Sequence, residues 1–300
     1  MTAAPVFDFA DLEAALQGRR LLVETALVEH LGPAAASPVA AAVQDALFAP
    51  AKRLRPILSL LVADVFQAPQ ALVLPGACSI EMVHTASLIL DDLPQMDDAK
   101  TRRGRPACHL VHGQATAILA AFALLNRAFE LLALGWPGAP DAAARGAMAK
   151  ELAQAIGLDG LIAGQAMDLA MTGRRIDLKT LEYIHSRKTG ALFMASAALG
   201  AQAAQASASE HTALMAYAKN LGLAFQIVDD LIDATGEASS SGKDVGQDVS
   251  KTTFVSFAGI DGARQLAQEL ALASREALQG LGPRAEPLRE LARYVIRRNR

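Results

Sequence analysis

The stretch SIEMVHTASLILDDLPQMDDAKTRRGRP, residues 79–106, decides how the chain folds. In its first half His84, Ser87, Leu88 and Asp91 recur at i, i+3, i+4 and i+7, so they share one face of a helix rather than alternating as in a strand. Pro94 disfavours helical geometry at Leu93 and ends that helix. Asp91 and Asp92 then fall in the last turn, the negative end of the helix dipole, where carboxylates cost stability unless cations offset them. Asp97 and Asp98 follow in the turn or loop beyond, and Arg102, Arg103 and Arg105 come just after. Like charges this close repel one another unless something of opposite sign sits among them. The missing component is a ligand.

Outward from this stretch the pattern stays helical. Apolar residues recur at three and four, as in Leu12, Leu16, Val23 and Leu27, while aromatics make up only 5% of the chain. Stop signals fall at Gly32-Pro33, Pro69, Pro75-Gly76, Gly135 to Pro140, Gly173, Gly236, Gly259 and Gly282-Pro283. Start signals are Ser37-Pro38, Asp177 before LKTLEYI, and a capping box from Ser207 to Glu210. About ten helices of usual length fit between these marks. Ala234 to Lys243, ATGEASSSGK, reads as a loop and not a domain boundary, so residues 1–300 are expected to form a single all-α domain. No alternating run builds a sheet, and no fixed-period repeat is present.

Composition narrows the function classes. With 52% hydrophobic residues the chain can bury a large core, and a net charge of −3 gives no basic footprint for nucleic acid. The apolar run from Ala115 to Leu125 is too short to span a bilayer before Asn126 and Arg127 interrupt it, so no membrane span is expected. The start, MTAAPVFDFADLEAAL, lacks a basic region ahead of an apolar run, and a cytoplasmic protein is expected. Cys78 and Cys108 have neither disulfide nor metal spacing and read as buried free thiols.

A second acidic group, AFQIVDDLID, spans residues 224–233. Asp229 and Asp233 lie one helical turn apart, with Gln226 three residues before Asp229, so the three side chains project together. Either cluster alone also reads as a solvated helix end. Two of them, each inside an apolar run and each followed by basic residues (Lys100, Arg102, Arg103 and Arg105; then Lys243 and Lys251), point to a cavity with acidic walls. All-carboxylate oxygen ligands suit Mg²⁺, which bridges protein carboxylates to substrate phosphates. Acid, metal and base together describe a diphosphate site. Lys52-Arg53-Leu54-Arg55-Pro56 opens an apolar helix and offers basic side chains and exposed N–H groups to a second anion. Gly164, Gln165 and Asp168, then Lys188-Thr189, place further polar groups in otherwise apolar helices.

These motifs, in order from about Lys52 to Thr253, resemble those of the trans-prenyltransferases, the polyprenyl synthetase family. DDLPQMD is similar to the family's first aspartate-rich motif in its bacterial and plant form, followed by RRGRP, and DDLID is similar to the second, preceded by FQ and followed by GKD and K-T. The resemblance implies an isoprenoid synthase helical bundle around an apolar cavity, usually a homodimer. It implies Mg²⁺, three ions with substrate bound, held by Asp91, Asp97 and Asp229. Asp92, Asp230 and Asp233 complete the acidic catalytic set, together with Arg102 and Lys188. Arg102, Lys188, Thr189, Gln226, Lys243 and Lys251 would hold an allylic diphosphate, and Lys52, Arg55, His84 and Arg103 isopentenyl diphosphate. Three positions depart from the family pattern: Pro50-Ala51 where Gly-Gly is common, Ala107-Cys108 after the RRG element, and Phe122 where many relatives are acidic.

The family sets product length by bulk just before the first motif. Ala86 and Ser87 are small there, which leaves room for a longer tail, and the segment looks most like geranylgeranyl diphosphate synthases of bacterial carotenoid pathways. A C20 product is expected ahead of C15, with Phe122 or Leu125 as other candidates for the pocket floor. A terpene cyclase would not need the Lys52, Arg55 and His84 set for a second diphosphate. A non-catalytic regulatory subunit would not keep both aspartate motifs.

Overall fold

The start signals do their work as side-chain caps. Ser37 Oγ accepts the Ala40 N–H (3.1 Å) and opens α2, Pro38–Leu47; Asp177 Oδ1 accepts the Thr180 N–H (2.8 Å) and opens α9, Leu178–His185. Ser207 and Glu210 bond reciprocally at the start of α11, Ala208–Thr235. The computed structural model describes residues 9–33, 36–235 and 252–298. The remaining helices are α1 (Phe9–Leu31), α3 (Leu54–Val65), α4 (Gln70–Asp91), α5 (Cys108–His112), α6 (Gln114–Leu134), α7 (Ala142–Ile156), α8 (Leu161–Met171), α10 (Ala191–Ala203), α12 (Phe254–Ala277) and α13 (Glu286–Arg297).

Thirteen α-helices among the described residues exceed the roughly ten expected; short α5 and the junction between α9 and α10 are among the divisions that punctuation alone did not mark. α9 runs into α10 through a π-helical turn, Ser186–Gly190. Two expectations change. α4 passes straight through Pro75, which forgoes a single ladder bond while its neighbours Val73, Gly76 and Ala77 are buried, so packing overrides the breaker. Residues 101–106 form a small antiparallel hairpin of β1 (Thr101–Arg102) and β2 (Arg105–Pro106), where no sheet was expected. Its turn residues Arg103 and Gly104 have φ of 54° and 74°, the two positive values of a type I′ turn. Gly259 (φ 72°) does break the helical path, inside α12. Gly236 lies outside the described residues.

Small residues let the core helices approach closely. A Cβ at Gly200 of α10 would lie 2.4 Å from the Ser59 carbonyl of α3, and the Ser59 hydroxyl donates to the Ser196 carbonyl (2.8 Å) across the same contact. α4 is buried along most of its length between α3, α6 and α10, with Ala86, Ala117, Ala120, Ala121 and Leu124 in one cluster. α11 is tied to α13 by the buried Tyr217 hydroxyl, which donates to the Leu288 carbonyl (2.8 Å). Cys78 is buried, as expected, whereas Cys108 is only partly so.

By length and composition α4 and α6 could each cross a membrane, which the 115–125 run alone did not indicate. The apolar window of α4 is 72% buried inside the fold, as in a core helix. That of α6 is 39% buried, and its outer face shows Leu119 and Phe122.

Candidate active site

The C-terminal ends of α4 and α11 and the start of α3 deliver their charged residues to the wall of one cavity of about 660 Å³. Both aspartate motifs reach it, through Asp91 and Asp97 and through Asp229 and Asp233, and so do the cations of residues 52–55 and 102–103. Leu54, Leu88, Leu161 and Leu192 supply apolar wall to the same cavity.

At the aspartate end, Lys188 Nζ lies 2.8 Å from Asp168 Oδ2 and 3.5 Å from Asp91 Oδ2. Its position depends on the π turn, which α8 and α11 press through glycines: a Cβ on Gly164 would stand 2.2 Å from the Lys188 nitrogen, and one on Gly222 3.1 Å from Gly190 Cα. Thr189 Oγ1 donates to Gln226 Oε1 (2.8 Å), Gln226 Nε2 donates to Asp230 Oδ1 (3.0 Å), and Asp230 Oδ2 accepts the Phe254 N–H (2.9 Å). Asp230 is thus a buried tether between α11 and the start of α12, and it also belongs to the lining of the cavity. Asp92 is likewise buried; Arg102 donates from Nε to both its oxygens (2.9 and 3.2 Å). Burial opposes the charge on Arg102, but the Asp92 hydrogen bond and the charges of Asp92, Asp91 and Asp97 raise its pKa overall. Arg102 thereby supplies the positive charge that the end of α4 requires.

At the other end, Arg55 lies over the Phe193 ring (4.7 Å to the centroid) and Nη1 sits 3.3 Å from His84 Nε2. Burial pushes the Arg55 pKa down to about 10, against the pull of Glu81 and Asp229. His84 is held well below the usual histidine range by burial first, then by Arg55, Arg103, Arg102 and Arg53. A neutral His84 therefore accepts from Arg55 through Nε2. Arg103 is lowered by burial, with Glu81 opposing.

Two residues at the cavity, Glu81 and Arg298, were not singled out from the sequence, and Arg53 was named only as part of the 52–56 motif. Arg53 and Glu81 are buried partners, Nη1 to Oε1 2.6 Å. Arg298, just past α13, donates from Nη2 to Asp229 Oδ1 (2.7 Å) and to the Phe225 carbonyl (2.8 Å), its guanidinium 3.8 Å from the Phe225 ring centroid. Glu81 was accessible to the helical spacing, three residues before His84; Arg298 follows the last helix and had no local signal.

Of the proposed length-setting residues, Ser87 lines the cavity, with its hydroxyl donated to the His84 carbonyl (2.8 Å). Ala86 is fully buried in the α4/α6 core, not on the cavity wall. Phe122 is 62% exposed on the outer face of α6, a correction to its assignment as a pocket residue: the face it occupies points away from the core. Lys243 and Lys251 lie outside the described residues.

Among the described residues no three His, Cys, Asp or Glu side chains converge on a closed metal cage. Asp91, Asp97 and Asp229 nonetheless present only oxygen donors to one cavity that also carries cations for a phosphate. That donor set fits Mg²⁺, which keeps waters and takes phosphate oxygens along with one or two carboxylates.

The Polyprenyl synthetase family model matches residues 37–277. The chain is 41% identical over 266 residues to geranylgeranyl pyrophosphate synthase 9, chloroplastic, of Arabidopsis thaliana, across 86% of this chain and 73% of the relative. Its structure is similar to that of an FPP/GFPP synthase from Zymomonas mobilis, with TM-score 0.86 and 34% identity over 96% of this chain and 99% of the other. It is also similar to a geranyltransferase from Helicobacter pylori complexed with magnesium and isoprenyl diphosphate, with TM-score 0.84 and 30% identity over 99% and 98% of the two chains. On this match of sequence and fold, the chain belongs to the Polyprenyl synthetase family.

Proposed function

We propose that the protein condenses isopentenyl diphosphate head to tail with an allylic diphosphate, giving geranylgeranyl diphosphate and releasing diphosphate. The observation that carries this reading is one cavity whose lining combines the carboxylates of both aspartate motifs, two sets of cations (Lys188 and Arg102; Lys52, Arg55 and Arg103 with His84) and leucines. Asp91, Asp97 and Asp229 would hold Mg²⁺, three ions with substrate bound, which offsets the charge on the departing diphosphate. Lys188, Thr189, Gln226 and Arg102 orient the allylic diphosphate, joined by Lys243 and Lys251. Lys188 and Arg102 stabilise the negative charge that develops as its C–O bond breaks. Lys52, Arg55, His84 and Arg103 hold the isopentenyl diphosphate so that its double bond attacks the allylic cation. The proton lost from the adduct goes to the departing diphosphate. Leu88, Leu161 and Leu192 keep water from the cation.

Small Ser87 on the cavity wall, together with the relative named a geranylgeranyl synthase, supports C20. The similar structure named FPP/GFPP synthase supports farnesyl diphosphate as the second reading. Incubation with isopentenyl diphosphate, Mg²⁺ and each allylic primer, followed by chromatography of the products, is expected to give C20. A C15 product overturns the length assignment, and no condensation with any primer overturns the function. The exposed apolar face of α6, with Leu110 and Val111 exposed on adjacent α5, supports a homodimer. A cytoplasmic location, supplying carotenoid or other isoprenoid synthesis, completes the reading; cell fractionation tests the location.

A further inference from the structure

Two arginines at the cavity have left-handed backbones, Arg53 at φ 53° and Arg103 at φ 54°. Non-glycine residues are held in that region only where their surroundings over-determine it, and such residues collect at functional sites. Both arginines meet one carboxylate. Glu81 Oε1 lies 2.6 Å from Arg53 Nη1 and 3.7 Å from Arg103 Nη2, and the Glu81 side chain is 2% exposed. Arg53 spends its other nitrogens on the chain end of α2, donating from Nη2 to the carbonyls of Leu47 (2.5 Å) and Ala49 (3.4 Å), and its Nε lies 3.8 Å from the half-exposed Glu24. Arg53 thus pins the backbone between Lys52 and Arg55, while Arg103 comes in from the hairpin.

We infer that Glu81 is a positioning residue for the isopentenyl diphosphate subsite: it holds Arg103 directly, and Lys52 and Arg55 through Arg53, in the arrangement that receives the diphosphate. This inference rests on the assignment of that subsite given above. Glu81 also supplies the negative charge that lets these cations share a small volume before substrate arrives.

The direction of the effect discriminates between mechanisms. On charge alone, removing a carboxylate beside a cationic anion site tightens diphosphate binding and lowers KM for isopentenyl diphosphate. Positioning predicts the opposite. In Glu81→Gln, KM for isopentenyl diphosphate is expected to rise roughly tenfold to a hundredfold, the scale of loss when the partner that orients a metal ligand is removed, while KM for the allylic diphosphate changes less than about threefold. A loss of stability alone would not separate the two substrates. An unchanged or lowered KM for isopentenyl diphosphate in folded Glu81→Gln overturns the inference.

If Glu81→Gln does not fold, the Arg53→Gln/Glu81→Gln double variant removes both charges of the fully buried pair, and the same split of KM values is expected. Equal KM values for the double variant and the wild type overturn the inference. Lys52→Ala separates the two levels: raised KM for isopentenyl diphosphate in Lys52→Ala with none in Glu81→Gln sinks the role of Glu81 alone, whereas no change in Lys52→Ala removes the subsite and the inference with it.

Discussion

His84 carries a pH signature at the scale of one residue. Unfolded, its imidazole takes a proton near pH 6.5; folded, burial and the surrounding arginines keep it neutral to lower pH. Below 6.5 the unfolded chain therefore binds more protons, so stability falls as pH falls, by up to about 1.4 kcal/mol per pH unit, and is level above 6.5. Denaturant unfolding at pH 7.5 and 5.5 is expected to show a smaller loss in His84→Asn than in the wild type; equal losses would refute it. Ser87 and Ala86 separate two effects on the product. Ser87→Phe, on the cavity wall, is expected to shift the product toward C15 with the fold intact. Ala86→Tyr overfills the α4/α6 core and is expected also to cost about 1–3 kcal/mol in thermal or denaturant unfolding. The charged residues of the cavity were legible in the sequence because they interrupt apolar runs. The division of labour among them was not: Asp229 and Asp230 are adjacent and chemically identical, and only tertiary packing turns Asp230 to the Phe254 N–H.

At the scale of the element, the π turn between α9 and α10 is the part least visible beforehand. SRKTG has the composition of ordinary helix, and the wider turn follows from what packs on it, above all backbone contact with Gly164. Gly164→Ala is expected to displace Lys188 and lower kcat by roughly a hundredfold, the cost of a displacement near 1 Å at a reacting centre. Unchanged kcat would show that α8 can yield without moving the turn. The helices themselves were readable from caps and glycines, since a cap needs only neighbours in sequence. Pro75 misled for the complementary reason: its local cost is outweighed by the burial of α4, which no local pattern reports. The hairpin escaped because two residues per strand carry no alternation.

For the whole molecule, the outer face of α6 poses the largest open demand. Leu119 and Phe122 on α6, with Leu110 and Val111 on α5, are 51–62% exposed, and a second copy burying them would remove apolar surface from water. Sedimentation of the wild type is expected to give a dimer, and Phe122→Glu a shift toward monomer. A monomeric wild type would overturn the assembly. The same face explains why Phe122 was misplaced as a pocket residue: an apolar side chain in an apolar helix has the same sequence signature whether it faces a core, a cavity or a partner.

The segment that follows α4 divides into two halves of unequal tolerance to insertion and deletion. Residues 93–98 turn through the bonds of Asp97 N–H to the Asp91 carbonyl (3.0 Å) and Asp98 N–H to the Leu93 carbonyl (3.1 Å), a compact loop whose length can vary while its ends stay close. In residues 101–106 the register pairs Arg102 with Arg105 around a two-residue turn, sending Arg102 to Asp92 and Arg103 toward Glu81. One added residue there would rotate an arginine to the opposite face. An added residue is therefore expected to be borne between the aspartates, whereas the hairpin can change only its composition.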